Sequence, residues 1–254
     1  MKLRVLGCHG GTTRDHKSVS FLIDRHLALD AGSLASGLSL EEMGSVQTVL
    51  VTHPHIDHIA DLGTVCDSRT HLDLPSLVVA GMESTLDALR AHFFNNILWP
   101  DFTRIRGLRE NVATLVCMQP LESYEFGNLR VHPVPVDHSI PSCGFIVEGA
   151  NVTLAYSGDT GPTQLFWETL NRLPRVDAVI TEVSFPNRMK NLATRSGHLT
   201  PRCLEDELEK LAHRETPILI YGLKPPFEVE IREELDKAGM DRTRLLEVDQ
   251  SIEL

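Results

Sequence analysis

Short apolar segments rich in Val, Ile and Leu recur along the whole chain, and Gly, Pro, Asp or Asn stands at their ends. They occupy residues 3–6, 20–28, 46–51, 77–80, 112–117, 129–136, 145–147, 153–156, 178–180 and 218–221. Runs of this length and composition are typical of buried β-strands. Apolar residues at helical spacing lie between some of them, at 86–93, 165–173, 204–211 and 229–238. Strands interleaved with helices predict an α/β protein in which helices cover the sheets.

The sequence gives no sign of a boundary between domains. No low-complexity segment, charge block or repeat interrupts its 254 residues, so we expect a single domain over residues 1–254. The net charge of −11 argues against extended nucleic acid as a partner. No export signal or membrane-spanning run is evident in the sequence, which predicts no membrane partner. The five cysteines are scattered and never closely paired, so we expect a cytoplasmic protein.

Four potential metal ligands follow the predicted strand at 46–51 within six positions: His53, His55, Asp57 and His58. A tight turn here aims His53 and His55 to one side, while Asp57 and His58 enter the next helix and point at a neighbouring spot. That arrangement suits two adjacent metal ions. Imidazole and carboxylate together suit Zn, Mn or Fe, and the lack of thiolates argues against a closed structural zinc. The alternative is a chance cluster of polar residues on an exposed loop.

The pattern His-x-His-x-Asp-His after a buried strand resembles the signature of the metallo-β-lactamase superfamily. The resemblance continues in the superfamily's order with Asp30 in Asp-Ala-Gly, His138 in Val-Asp-His and Asp159 in Ser-Gly-Asp-Thr-Gly. It implies a four-layer αββα sandwich with a centre of two divalent metal ions at the sheet edges. The ligands implied for the first ion are His53, His55 and His138. Those implied for the second are Asp57 and His58, with Asp159 bridging both ions and Asp30 outside the ligand set.

Further segments resemble one branch of this superfamily, the class II cyclic-nucleotide phosphodiesterases. They are residues 95–101, 181–185, 197–201 and 223–225. The resemblance implies a metal-dependent phosphodiesterase that hydrolyses small 3′,5′-cyclic nucleotides such as cAMP and cGMP to the 5′-monophosphate by a metal-bound hydroxide. Asp57 would orient that hydroxide, and His198 would supply a proton to the departing 3′-oxygen. Glu182 would hold His198 in the required tautomer.

Two aromatic residues, Trp99 and Phe102, lie in a segment that resembles the family's insertion near the substrate pocket. Both are therefore candidates for stacking on a purine base. The alternative is that both are core or dimer contacts, and we favour it slightly because large aromatic side chains usually dominate packing and interfaces. The resemblance also implies that a homodimer is one assembly open to this chain, because members of the superfamily are often dimeric, but nothing in the sequence identifies an interface.

The resemblance also implies one more histidine ligand, on the loop that leaves the strand at 218–221. Gly222 stands at that position, so the ligand is missing. Three interpretations stay open: a natural loss that weakens the second metal site, a deliberate substitution, or a different alignment of the loop. The nearest histidine, His213, lies in the preceding helical segment and is predicted to be solvated rather than a ligand.

Other functions remain open at this point. A tRNA 3′-processing endoribonuclease shares the segments around Glu182 and His198, but the acidic chain shows no basic arm for tRNA. A small-ester or lactone hydrolase uses the same histidine signature and is disfavoured by the branch segments around Trp99 and His198. A nucleotide-binding protein with weakened catalysis is a fourth reading, and Gly222 is the residue that supports it.

Overall fold

The computed structural model describes residues 1–254 and contains two seven-stranded sheets. The strands are β1 (Lys2–Gly7), β2 (Ser20–Ile23), β3 (Leu27–Leu29), β4 (Thr48–Leu50), β5 (Leu77–Gly81), β6 (Ala113–Cys117), β7 (Tyr124–Phe126), β8 (Leu129–Val136), β9 (Ser142–Glu148), β10 (Thr153–Tyr156), β11 (Ala178–Glu182), β12 (Ile218–Tyr221), β13 (Thr243–Leu245) and β14 (Ser251–Glu253). The first sheet has the order β14-β1-β2-β3-β4-β5-β6, and the second has the order β13-β12-β11-β10-β9-β8-β7.

Eight α-helices accompany the sheets. They are α1 (Leu40–Ser45), α2 (Ile56–Ile59), α3 (Leu62–Arg69), α4 (Glu83–Ala88), α5 (Leu165–Asn171), α6 (Lys190–Ser196), α7 (Pro201–Leu208) and α8 (Glu228–Ala238). A π-helical turn, Leu89–Phe93, continues α4, and short 3-10 turns occupy Asn187–Met189 and Pro225–Phe227. No helix is both long and apolar enough to cross a lipid bilayer.

Three separate apolar cores show how these elements are layered. The central core lies between the sheets and joins side chains such as Phe21 of β2 and Phe145 of β9. Alternate residues of β5 face opposite ways, because successive side chains of a strand point to opposite faces. Ala80 therefore lies in the central core, whereas Val79 packs under α3 and α4 in the second core. The third core joins the second sheet to α5, α7 and α8. The predicted four-layer αββα sandwich is confirmed.

The parallel strands of both sheets deliver their carboxyl ends to one edge of the sandwich. In the first sheet β3, β4, β5 and β6 are parallel neighbours, and in the second β10, β11, β12 and β13 are. Ligands of α/β proteins typically bind beyond such carboxyl ends. Asp30 follows β3, His53 lies three residues after β4, and Asp159 lies three residues after β10. Glu182 ends β11 and Gly222 follows β12.

One predicted strand is two strands in the structure. The apolar run at 20–28 folds into the hairpin of β2 and β3, with Asp24 and Arg25 in the turn at φ of 46° and 68°. The chain therefore reverses direction between β2 and β3 at a turn that has neither Gly nor Asn, the residues that normally mark such left-handed turns. The short strands β7, β13 and β14 and the helices α1, α3 and α6 were not predicted either.

Candidate metal centre

Three histidines from both sheets converge on one point at this edge. His53 and His55 leave β4, and His138 leaves β8. The Nε2 atom of His53 lies 3.0 Å from Nδ1 of His55, and Nε2 of His138 lies 3.3 Å from that same Nδ1. One ring nitrogen from each of the three residues lies within 4.8 Å of the others. This spacing is close enough for all three nitrogens to bind one ion.

Two of these histidines, His53 and His138, have their outer ring nitrogen held by another group. Nδ1 of His138 lies 2.8 Å from the carbonyl oxygen of Gly197, and Nδ1 of His53 lies 2.9 Å from Oγ1 of Thr52. A metal-binding histidine commonly has its other nitrogen engaged in this way, which fixes the tautomer and the ring orientation. In both residues Nε2 is therefore the nitrogen directed at the cluster.

A second group of donors adjoins the first and contains His53, His58 and Asp159. His58 is fully buried in α2, and its Nε2 atom lies 3.3 Å from Oδ2 of Asp159 without a hydrogen-bond partner. A third group joins Asp159 to His138 and His198. Asp159 thus lies within ligand distance of histidines from both predicted metal sites, as expected of a bridging residue.

The buried carboxylate of Asp30 holds His58 and the start of the histidine loop in place through hydrogen bonds. It accepts hydrogen bonds from the backbone N–H of Thr52 at 2.8 Å, from the hydroxyl of Tyr156 at 2.6 Å and from Nδ1 of His58 at 2.8 Å. Asp30 adopts a φ of 55°, in the left-handed region that Asp tolerates better than most residues. The bond to Nδ1 leaves Nε2 of His58 as the nitrogen that faces Asp159. The structure therefore places Asp30 where the sequence predicted it, behind the donors.

The pKa values of neighbouring residues in the cluster are shifted in different directions. Burial, together with the charge of His58, holds the pKa of His53 well below its usual range. Burial also disfavours charge on His58, but Asp159 and Asp30 outweigh it and raise the pKa of His58 well above its usual range. Burial favours the neutral acid of Asp159, yet His58 and His198 hold its pKa well below normal. His53 is therefore favoured as a neutral imidazole and Asp159 as an ionised carboxylate, the donor forms that divalent cations require, whereas His58 must give up its proton when an ion binds.

His198 and Glu182 form a buried pair next to Asp159. The residue before His198, Gly197, ends α6 in the left-handed conformation at φ 67°. Nδ1 of His198 lies 2.6 Å from Oε1 of Glu182, whose side chain is fully buried. Burial disfavours the charged ring, but Glu182 and then Asp159 outweigh it and raise the pKa of His198. This geometry is the one predicted for a histidine whose tautomer is held by a carboxylate.

Asp57 is the predicted ligand that lies outside the donor groups. It occupies α2 and is half-buried, but none of the three groups includes its carboxylate. The helical backbone turns His58 inward at the next position. The roles of Asp57 in metal binding and in orienting the nucleophile remain predictions.

Gly222 lies at the edge where the missing histidine was expected. A Cβ atom at this position would lie 3.2 Å from Cβ of Glu182 and 3.6 Å from Oγ of Ser184. A side chain would therefore start beside the pair of Glu182 and His198. The backbone has a φ of 86°, which favours glycine over histidine. The loop is thus next to the centre, but its present conformation does not suit an L-residue.

The predicted aromatic pair is only partly consistent with stacking on a base. Phe102 is 1% exposed and packs against Phe94 in the core under the first sheet, so as a stacking residue it is a wrong prediction. Its apolar ring is covered by the helices of that layer, as the alternative interpretation had it. Trp99 is half-buried and lies against the backbone of Gly63 in α3, where any side chain would overlap the indole. A role for Trp99 in substrate binding stays a prediction.

Two tyrosines of the site were not found from the sequence. Tyr156 donates to Asp30, and the hydroxyl of Tyr221 lies 3.2 Å from Oδ1 of Asp159. Both end strands of the second sheet and fill the central core, where their rings stack edge to face on Phe21. A tyrosine within an apolar strand reads as a core residue, so no sequence signal distinguished them. Burial raises the pKa of each phenol well above its usual range, which keeps both as neutral donors.

The residues of this centre fit divalent metal ions. The buried Nε2 atom of His58 has no hydrogen-bond partner, and an unpaired buried nitrogen is costly unless it has another ligand. The surrounding donors are imidazole nitrogens and carboxylate oxygens, a set that suits Zn, Mn and Fe. All five cysteines are free, and none belongs to the donor groups.

Comparison with known proteins agrees with this geometry. A probable 3′,5′-cyclic-nucleotide phosphodiesterase of Yersinia pestis is 28% identical, over 88% of this chain and 78% of that protein. A ribonuclease Z of a Mycobacterium species is 29% identical, over 56% of this chain and 52% of that protein. The crystal structure of unliganded yeast PDE1 superimposes with a TM-score of 0.83 at 20% identity, over 100% of this chain and 99% of that one.

The family assignment rests on a wider match. The model of the beta-lactamase superfamily domain covers residues 22–220, which include every predicted ligand from His53 to Asp159 as well as the pair of Glu182 and His198. This span and the four-layer fold lead to one conclusion: the chain belongs to the beta-lactamase superfamily.

Proposed function

We propose that this protein is a metal-dependent phosphodiesterase that hydrolyses 3′,5′-cyclic nucleotides to 5′-monophosphates. The observation that carries the proposal is the buried pair of His198 and Glu182, which lies directly beside the shared donor Asp159. A nearby proton donor is what the cleavage of a phosphodiester requires at the leaving oxygen. The name of the relative from Yersinia supports the same reaction.

The donor groups would hold two divalent ions, which we expect to be Zn, Mn or Fe. His53, His55 and His138 would bind one, and His58 would bind the other together with Asp57, while Asp159 would be shared between them. Such ions neutralise phosphodiester charge and make water a stronger nucleophile at neutral pH. The unit is residues 1–254 acting as one domain, with a small cyclic nucleotide rather than extended nucleic acid or membrane as its partner. A cytoplasmic location and a homodimer are part of the same proposal.

The protein's own groups then handle the proton at the leaving oxygen. Water attacks phosphorus, the bond from phosphorus to the 3′-oxygen breaks, and that oxygen takes a proton from Nε2 of His198. Glu182 accepts the hydrogen bond from Nδ1 of the same ring and stabilises the charge that the ring carries before transfer. The water's lost proton passes to a base at the centre or to solvent. His198 is thus the proton donor, and Glu182 is its positioning residue.

The direct test is hydrolysis of cAMP and cGMP by the purified protein, with the metal content counted per chain. We expect the 5′-monophosphate as the product, loss of the activity in chelator, and recovery with Mn²⁺ or Zn²⁺. Precursor tRNA and a panel of lactones serve as competing substrates in the same preparation. Cleavage of tRNA or lactone without cleavage of either cyclic nucleotide would overturn the proposal.

Replacing His198 by Gln is expected to reduce kcat for cAMP by about 10²–10⁴-fold, the range typical of a lost general acid. KM should change little, because the ring acts on the leaving oxygen rather than in ground-state binding. The matched control is His132→Gln, since His132 pairs with Glu148 at 3.2 Å far from the metal centre. A His198→Gln protein with the turnover of the control would remove this residue from the mechanism.

Introducing the missing ligand by Gly222→His is expected to raise the metal content and the turnover, most clearly at low metal concentration. The new side chain starts beside Glu182, and the loop must give up its left-handed φ of 86°. Gly222→Ala is the control, because it imposes the same backbone strain without a ligand. If the alanine and histidine proteins hold the same number of ions and turn over equally, the loop does not contribute a ligand. An unmodified chain that already holds two ions and matches the histidine variant's rate would show that another group completes the site.

A further inference from the structure

A second group of potential metal ligands lies outside the proposed catalytic centre. His9 follows β1, His16 lies in the loop before β2, and Glu228 begins α8. One ligand atom from each of the three residues lies within 4.8 Å of the others. The rings of His9 and His16 meet edge to face at 4.7 Å, and Nε2 of His16 lies 2.9 Å from Oε2 of Glu228. Segments far apart in the sequence thus bring two imidazoles and one carboxylate together.

Each of these side chains is held by a neighbour on its outer side. Nδ1 of His9 lies 3.3 Å from both the carbonyl oxygen and the backbone nitrogen of Lys17, so Nε2 is the ring nitrogen left for a ligand. Nδ1 of His16 contacts the hydroxyl of Thr13 at 2.5 Å. Carbonyl and hydroxyl partners of this kind orient the histidines of metal sites.

The carboxylate of Glu228 is divided between two uses. Arg232 binds Oε1 through Nε at 2.9 Å, one turn further along α8, while Oε2 faces His16. Burial favours the neutral acid, but hydrogen bonds from Arg232 and His16 outweigh it and lower the pKa of Glu228. Burial lowers the pKa of His9. An ionised carboxylate and a neutral imidazole are the forms that bind a metal, and Oε2 is the oxygen left for it.

We propose that His9, His16 and Glu228 form a site for a divalent cation of the first transition row, with Zn²⁺ as the favoured ion. Two imidazoles and one carboxylate suit Zn²⁺ in tetrahedral geometry, with water as the fourth ligand. The side chains of His16 and Glu228 are 22% and 19% exposed, so the site is open to solvent. When the ion binds, the hydrogen bond from Nε2 of His16 to Glu228 is lost, and each of the two residues binds the ion instead. The proton of His16 then resides on Nδ1 and is donated to Thr13.

The position of this site gives it a structural role. His9 pairs with Leu223 through a parallel bridge, the N–H of Gly10 donates to the carbonyl of Leu223 at 3.1 Å, and the N–H of Gly222 donates to the carbonyl of Cys8 at 2.8 Å. An ion held by His9 and by Glu228 of α8 therefore connects the segment after β1, which is hydrogen-bonded to the Gly222 loop, with the helix that follows this loop. It stabilises that loop without entering the proposed catalytic centre.

The test counts Zn²⁺ per chain after equilibration with the ion and dialysis. The background is a chain in which His55, His138 and Asp159 are each replaced by Asn, so that no donor group of the proposed catalytic centre keeps more than two of its three members. We expect this chain to retain one Zn²⁺, and to give a tetrahedral Co²⁺ absorption band when Co²⁺ replaces it. Adding His16→Gln should abolish both signals, whereas adding His132→Gln should leave them unchanged.

Circular dichroism shows whether the background chain folds. A second measurement tests the site even if that chain does not fold. In the otherwise unaltered chain, His16→Gln and Glu228→Gln should each lower the Zn²⁺ count by one and remove the part of the Zn²⁺-dependent rise in Tm that belongs to this site. His132→Gln should do neither. If neither His16→Gln nor Glu228→Gln changes the ion count of the unaltered chain, the site does not exist.

Discussion

Replacing Asp159 by Asn is expected to cause the largest loss of activity of any single substitution in this protein. The carboxylate lies near His58 and His198, and it belongs to two of the donor groups. An amide keeps the shape but removes the charge that a bridging ligand supplies. Loss of an outer partner typically costs about 10–100-fold in metal affinity or activity, and loss of a shared ligand should exceed this. We expect at least one ion fewer per chain and a fall in kcat/KM of about 10³-fold or more.

The matched control for this substitution is Asp87→Asn. Asp87 is an exposed residue of α4 that pairs with Arg90 on the surface. It tests whether the loss of one negative charge matters in general, and its metal count and kcat/KM should equal those of the unaltered chain. If Asp159→Asn retains a full complement of ions, the residue is not a ligand, whatever happens to the rate.

Replacing Asp30 by Ala is expected to produce the largest loss of stability. The carboxylate is fully buried and binds Thr52, His58 and Tyr156. Removing one partner of a buried charge pair typically costs about 3–5 kcal/mol, because the remaining groups stay buried without partners. Alanine also loses about 1–2 kcal/mol by adopting the left-handed φ of 55° at this position. The free energy of unfolding in urea should therefore fall by about 4–7 kcal/mol.

Two comparison variants separate these contributions to stability. Asp30→Asn keeps a residue that tolerates the left-handed backbone, so its loss should be smaller than that of Asp30→Ala. Asp87→Ala removes an exposed carboxylate and should stay within about 0.5 kcal/mol of the unaltered chain. A change below about 1 kcal/mol for Asp30→Ala, measured on metal-free protein, would mean that the buried network contributes little to folding.

The sequence predicted those strands whose apolar run is bounded by clear breakers. β10 and β12 have the predicted ends because Asn151 and Gly158 flank the one and Pro217 and Gly222 bound the other. The hairpin of β2 and β3 was read as one strand because its turn uses Asp24 and Arg25 at positive φ, with no glycine to mark it. β13 and β14 are three residues long and partly exposed, so they bury too little apolar surface to leave a pattern.

The metal centre was predictable where its residues are neighbours in the chain or follow the superfamily pattern. His53, His55 and His58 are grouped in sequence, and His138 and Asp159 follow strands in the expected order. Contacts that depend on strand order and on the packing of the layers were not predictable. Tyr221 reaches Asp159 only because β11 alone separates β12 from β10 in the second sheet, and Phe102 is unavailable to a substrate only because its segment folds under the first.

The division of the donors between the two sheets determines the order of events as the chain folds. His55 belongs to the first sheet and His138 follows a strand of the second, 83 residues later, yet their nitrogens lie 3.3 Å apart. An ion that bound both histidines before the sheets pack would also have to offset the entropic cost of closing this loop. A ribosome that has produced only β1 to β6 thus exposes histidines without a complete site. We therefore expect metal to enter after the sandwich has formed, and to extend the lifetime of the folded protein by slowing its unfolding rather than by hastening its folding.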